Sequence, residues 1–268
     1  MVWNFKPQMR AFRFGGHRGP VYSVDFNPSY SMIASGSKDC TVRIWQPTVE
    51  GRSTIIKAHN GAVRSVAFSP SGRNLITASD DKTVKMWAIP TQRFVGSFVG
   101  HLNWVRSAQY SPDGRLAVSC GDDKTVRLWD VASRKCIHVY EDLNSTFNTV
   151  SFSPDGTCVA AGGQDASIKV WDTRQHALIQ YYTSHTRPVN KLTFHPSGNF
   201  IVSTSQDATL KVWDVREGQL MYTLHAHEGC TNGVGFSPAG EYFASTGVDE
   251  QVGFLRDAPT STHKPRGT

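Results

Sequence analysis

Nowhere in the 268 residues does an apolar run approach the roughly 18 needed to cross a membrane, so no membrane-spanning helix is expected. The opening residues lack the basic-then-apolar order of a secretory leader. No segment sustains helical periodicity, and almost no helix is predicted. There are five cysteines (Cys40, Cys120, Cys136, Cys158 and Cys230), an odd number without metal-ligand spacing. They point to a reducing compartment, and Cys40, Cys120 and Cys158 fall where a small buried thiol is ordinary. A phosphate-cradling glycine loop, an isolated Cys/His pair at catalytic spacing and an RNA-binding sheet motif are all missing. Charged residues make up only 19% and are evenly spread, too few for a disordered chain, while 39% apolar and 11% aromatic content suits a packed core. No cofactor, metal or small-molecule substrate is called for, and neither nucleic acid nor membrane is an expected partner.

What is present is a ruler. Tryptophan falls at positions 3, 45, 87, 129, 171 and 213, always 42 residues apart, and the same spacing lands on Asp39, Asp81, Asp123, Asp165, Asp207 and Asp249. His17, His59, His101, His185 and His227 keep it too. Within one period, Val63–Phe68, Leu75–Ser79, Thr83–Trp87 and Arg93–Phe98 are four short β-rich runs divided by Pro, Gly, Asp and Ser turns. The Pro-x-Gly turn recurs at 112–114, 154–156, 196–198 and 238–240, while the first repeat has Tyr30 in the glycine position. A repeat of this length, starting near His and ending near Trp-Asp, is the signature of a propeller blade. The predicted fold is therefore an all-β β-propeller with six four-stranded blades in residues 1–257, followed by a polar disordered tail at 258–268. Radial stacking would bury both faces of each meander.

The ends depart from the pattern. Val2-Trp3 matches the close of a third strand without the two strands that should precede it, which points to a seven-bladed parent rather than a native six. Residues 8–14 read as an outer strand that could pair with the last triplet and clasp the ring.

His, Ser/Thr, Asp and Trp recur together, and a His-Ser-Asp trio invites a hydrolase reading. A nucleophile is needed once, however, and here the set repeats at one spacing. The expected role is structural, in His17-Ser35-Asp39-Trp45, His59-Thr77-Asp81-Trp87, His101-Ser119-Asp123-Trp129 and His185-Ser203-Asp207-Trp213. Each set would satisfy polar groups that otherwise cost about 1–3 kcal/mol apiece. The fourth repeat has Leu143 for His and Ala161 for the hydroxyl, removing the pair together; the last has Leu255 for Trp and should be the loosest blade. Arg43, Lys85, Arg127, Lys169 and Lys211 share one register position, with stems packed and heads expected in water. His225-Ala-His227 lacks a third ligand nearby, and the Asn144-Ser-Thr146 sequon is read as coincidental.

Function is expected at the channel rim, where three positions per repeat present loop side chains. These give the cluster Trp104, Arg106, Arg64 and Tyr22 on adjoining blades, with Asp80 and Asp122 beside the arginines. Trp104 is the one tryptophan off the ruler, and aromatic-plus-arginine composition is typical of binding hot spots.

These motifs resemble the WD40 repeat family over Val2 to about Val252. At finer grain the chain resembles the WD40 domain of the proteome-of-centriole-1 family. The stretches that carry this are Lys6–Phe14, Asn103–Arg106, Thr77–Trp87, Glu217–His225, Gly240–Ser245 and Asp249–Val252. That resemblance implies a non-enzymatic scaffold of centrioles and basal bodies, cytoplasmic and on the cytoskeleton, binding microtubules or centriolar proteins and supporting cilium assembly. The net charge of +6 fits tubulin's acidic surface. The rival reading is a peptide-reading subunit of a ubiquitin-ligase or chromatin-type complex, with Trp104 as the anchor.

Overall fold

Runs of five or six β-formers cannot extend past the turns that separate them, so the chain doubles back at every break. In the computed structural model, which describes residues 2–3, 11–48 and 51–256, this produces 25 strands and no helix. Blade one comprises β3 (Val21–Phe26), β4 (Ile33–Ser37), β5 (Thr41–Trp45) and β6 (Ser53–Lys57). Blade two has β7 (Val63–Phe68), β8 (Asn74–Ser79), β9 (Val84–Ala88) and β10 (Arg93–Phe98). Blade three has β11 (Val105–Tyr110), β12 (Leu116–Gly121), β13 (Thr125–Asp130) and β14 (Cys136–Glu141). Blade four has β15 (Phe147–Phe152), β16 (Cys158–Gly163), β17 (Ile168–Asp172) and β18 (Leu178–Tyr182). Blade five has β19 (Val189–Phe194), β20 (Phe200–Ser205), β21 (Leu210–Asp214) and β22 (Gln219–Leu224). Blade six has β23 (Thr231–Phe236), β24 (Tyr242–Gly247) and β25 (Val252–Arg256) among the described residues. All pairing is antiparallel, and the fold is a six-bladed β-propeller.

The first strands of successive blades pack side by side and are the innermost. The interfaces bury matching register positions: Ala34, Val42 and Ile44 of blade one meet Val63, Val66 and Phe68 of blade two, and Val118, Val126 and Leu128 of blade three meet Phe147, Val150 and Phe152 of blade four. Full burial of a side chain of this size stabilises the fold by about 1.5–3 kcal/mol. Cys120 is buried, whereas the other four thiols are only partly covered.

Two turns recur in every blade. Cys40, Lys82, Lys124, Ala166, Ala208 and Glu250, each following the ruler's aspartate, adopt φ between 62° and 70°. The Pro-x-Gly turns place Gly72, Gly114, Gly156, Gly198 and Gly240 at φ 68–78°, and Tyr30 takes φ 55° in their place.

The expected clasp does not form where it is described. Ala11–Phe12 (β2) pairs with Val2–Trp3 (β1), and among the described residues β25 is paired with β24 alone. Trp3 and Ala11 are near neighbours in sequence, and pairing them costs less chain entropy than reaching the last blade. Residues 8–10 of that segment, and the tail 258–268, lie outside the described residues.

Candidate functional site at the channel rim

Each inner strand begins with one residue more than its partner strand can pair. The register shifts between Val21 and Ser23, Val63 and Ser65, and Val105 and Ser107 leave Tyr22, Arg64 and Arg106 in the bulge. A bulged residue is unpaired and its side chain is re-aimed. Backbone bonds tie the other rim positions together: the Asp80 N–H donates to the Ala62 carbonyl at 3.0 Å, and the Asp122 N–H to the Trp104 carbonyl at 2.8 Å. The Trp104 carbonyl lies so close over Gly121 that an added Cβ would overlap it, which explains glycine where blades one and two carry serine.

The side chains then interlock. Arg64 donates through Nε and Nη2 to Asp80 at 2.9 and 2.8 Å, and Arg106 does the same to Asp122 at 2.7 and 2.6 Å. The Arg64 guanidinium carbon stands 4.4 Å from the Tyr22 ring centre and 5.9 Å from that of Trp104; that of Arg106 stands 5.2 Å from the Trp104 ring centre. Tyr22, Arg64, Trp104 and Arg106 thus alternate aromatic and cation across blades one to three. The hydrogen bonds from Arg64 to Asp80 hold its guanidinium pKa above the ordinary value, so that cation stays charged and fixed. Both arginines and both aspartates are largely covered, yet Trp104 remains 43% exposed. Blades four and five differ: Gln164 pairs with Asn148 at 3.2 Å, and Asn148 and Asn190 donate to the backbone of the following blade. The rim is therefore one-sided, aromatic and ionic over three blades and amide-lined beyond.

The polar sets on the ruler are bonded within themselves. In blade three Trp129 Nε1–H donates to Ser119 Oγ (2.8 Å), Ser119 Oγ–H to His101 Nε2 (2.7 Å), and His101 Nδ1–H to Asp123 (2.8 Å). The aspartate can only accept, which assigns the proton to Nδ1. His17-Ser35-Asp39-Trp45, His59-Thr77-Asp81-Trp87 and His185-Ser203-Asp207-Trp213 repeat the chain. Each ring nitrogen and hydroxyl is thereby committed, and no hydroxyl is left poised over a substrate space. Sequence reasoning missed a further member: the hydroxyl two residues after the aspartate (Thr41, Thr83, Thr125, Thr209, and Ser167 in blade four) donates back to it at 2.6–2.8 Å. Its constant offset was the available signal.

The periodic cations do not hold their heads in water. Arg43 donates to the Gly16 carbonyl at 2.7 Å, Lys85 to the Ala58 carbonyl at 2.9 Å and Lys211 to Thr223 at 2.9 Å. The loops carrying Gly16 and Ala58 leave carbonyls within reach, and a fixed acceptor there outweighs a mobile solvated end. In blade four this position replaces the missing histidine. Lys169 bonds both Asp142 and Asp165, so the aspartate left without a histidine there keeps a charged partner. Burial opposes the charge on Lys169, but those bonds outweigh it and raise its pKa. Leu143 itself is exposed. In the last blade His227 bonds Asp249 at 2.9 Å and Ser245 at 2.8 Å. Among the described residues no group of three or more His, Cys, Asp or Glu could hold a metal, and no helix is long and apolar enough to cross a membrane.

Comparison with known proteins agrees with this architecture. The family model described as "Nucleolar protein 10-like, N-terminal domain", a β-propeller, matches residues 58–252. The "WD domain, G-beta repeat" matches residues 8–46. Over 56 residues the chain is 43% identical to the "Periodic tryptophan protein 2 homolog" of Schizosaccharomyces pombe, covering 21% of the chain and 6% of that protein. Over 39 residues it is 46% identical to "Nuclear distribution protein nudF 2" of Aspergillus clavatus, 15% of the chain and 9% of that protein. A 36-residue stretch is 50% identical to the "Serine-threonine kinase receptor-associated protein" of Gallus gallus, 13% of the chain and 10% of that protein. The chain spans a tenth or less of the length of each of these relatives.

Proposed function

The chain belongs to the β-propeller family of nucleolar-protein-10-like N-terminal domains and carries WD repeats, and from that premise we propose that it is a non-enzymatic scaffold that docks another protein on Tyr22, Arg64, Trp104 and Arg106. Trp104 carries this reading. It is the tryptophan outside the 42-residue ruler, it lies within about 6 Å of two guanidinium groups already held by aspartates, and its ring stays open to solvent. A rigid aromatic plate loses little conformational freedom when a partner covers it, the property that makes tryptophan a frequent hot spot.

Within that class we infer a place on centrioles and basal bodies, supporting microtubule stability and cilium assembly. The support is the resemblance carried by Lys6–Phe14, Asn103–Arg106 and Glu217–His225, together with a net charge of +6 that suits tubulin's acidic surface. A peptide-reading role in a ubiquitin-ligase or chromatin-type complex is favoured by one observation, the exposed Trp104 ring at the rim as an anchor. The name of the matching family adds the nucleolus as a rival address.

Co-sedimentation and imaging separate these readings. The full chain should pellet with microtubules at low salt, lose that binding as salt rises, and mark centrioles when tagged. Retention in the supernatant with nucleolar or diffuse signal would reject the centriolar reading. Trp104→Ala should weaken partner capture by about 2 kcal/mol, roughly thirtyfold, with melting temperature nearly unchanged. A large fall in melting temperature would assign the ring to packing instead.

A further inference from the structure

One level of the inner strands carries the ruler into the channel. Ser23, Ser65, Ser107, Thr149, Lys191 and Gly233 stand 42 residues apart and each directly follows the bulge of its strand. Successive inner strands pack side by side, and hydroxyls at this level reach from one strand to the next. Ser23 accepts from the Val66 N–H at 3.2 Å, Ser65 donates to the Ala108 carbonyl at 3.4 Å, and Thr149 accepts from the Leu192 N–H at 3.4 Å. Two members break this pattern. Ser107 is only 3% exposed, and its Oγ is buried with no hydrogen-bond partner among the described residues. Blade five has a lysine in place of the hydroxyl, and among the described residues the Lys191 ammonium makes neither a hydrogen bond nor an ion pair.

The surroundings place that ammonium near the axis. Its charge is felt by Cys120 on blade three and by Asp25 on blade one, and Cys120 lies directly opposite Ser107 in the β11–β12 pair. Blades one, three and five alternate around the ring, so only a side chain directed inward comes within range of both others. Neither neighbour supplies a counter-charge in contact. Burial pushes the Cys120 thiol far up and keeps it neutral. The Asp25 carboxylate is held at 2.7 Å by the Phe68 N–H, and burial raises its pKa as well. Burial pulls Lys191 below its ordinary value, the mark of a cation short of compensation. Lys191 nonetheless keeps partial exposure, so solvent and what it carries reach this level of the channel.

We propose that the channel binds a small inorganic anion, of the size of chloride, which accepts from the Lys191 ammonium and the Ser107 hydroxyl. Two costs are met by one ion. An enclosed cation needs a partner, and a buried hydroxyl needs an acceptor. Water would satisfy the hydroxyl but brings no charge to the lysine. A charged acceptor makes each bond roughly twice as strong as its neutral equivalent. The neighbouring Gly233 puts no side chain at this level, which leaves Lys191 without a protein acceptor there. Anion binding in the channel does not require the rim to dock a partner.

Sodium chloride, exchanged for the bulky anion of sodium gluconate at equal ionic strength, is the probe for the full chain. We expect the melting temperature to rise with chloride and then level off, because an ion that binds only the fold stabilises it. Lys191→Met should weaken chloride binding about tenfold, the worth of one bond to a charged group. Ser107→Ala should weaken it less, and Lys57→Met, at an exposed position of β6, should leave it unchanged. Crystals of the unaltered protein grown in bromide give a reading that stands even if Lys191→Met fails to fold. Their anomalous signal should peak within hydrogen-bond reach of both Lys191 Nζ and Ser107 Oγ. Identical melting in chloride and gluconate, equal losses for Lys57→Met and Lys191→Met, or no bromide peak in the channel would each overturn the proposal.

Discussion

A single hydroxyl decides whether two buried nitrogens are satisfied. Ser119 accepts from Trp129 and donates to His101 in a site from which water is excluded. Ser119→Ala should therefore cost about 1–3 kcal/mol for each group it orphans, read as a lower midpoint in urea unfolding with an unchanged slope. The recurrence of this quartet was legible because one register position held one residue type. Lys169 was not legible in the same way. Its identity matched the other periodic cations, and only the approach of Asp142 from the preceding loop showed that it takes the place of histidine.

The strands and their turns follow from local chemistry. Alternating β-formers, Pro-x-Gly and Asp-x-hydroxyl strings specify four-stranded meanders without reference to distant residues. The exception is instructive. Tyr30 adopts φ 55° where five blades place glycine, and a left-handed conformation costs an L-residue roughly 1–2 kcal/mol. Tyr30→Gly should raise stability by about 1 kcal/mol, after loss of the exposed ring contact with Phe26, seen as a higher melting temperature. The bulges that aim Tyr22, Arg64 and Arg106 had no local signature. An extra residue appears only when the strand is paired, because the count depends on the partner's register.

At the scale of the whole molecule the quartets act together through pH. Burial works to raise the carboxyls of Asp123 and Asp207, but bonds from the histidines, threonine hydroxyls and backbone N–H groups more than offset it and hold both at about 2, against an ordinary 3.8. Asp39 and Asp81 are lowered in the same way. Burial also pushes His185 below its ordinary 6.5, against the pull of Asp207. In every case the unfolded chain binds protons at a higher pH than the fold does. Stability should therefore be full above about 6.5, begin to fall as His185 would charge in the unfolded state, and drop steeply from about 4 toward 2 as the aspartates protonate. Denaturant titrations at stepped pH test the order of those two phases. A midpoint independent of pH between 7 and 2 would contradict it.

The sequence alone determined the repeat, the strand content, the propeller and the members of each polar quartet. All of these rest on short-range spacing and on the need of each meander to bury two faces. It also nominated the rim cluster, since one tryptophan broke the ruler beside two arginines. Tertiary structure decided how those side chains interlock, which cations are bound rather than solvated, where β2 pairs, and that Val24, Phe26 and Val252 are exposed where their counterparts are buried. Those outcomes depend on which surfaces meet across the ring. A periodic sequence writes the same interface into every blade and cannot mark where the burial of one register position departs from that of its counterparts.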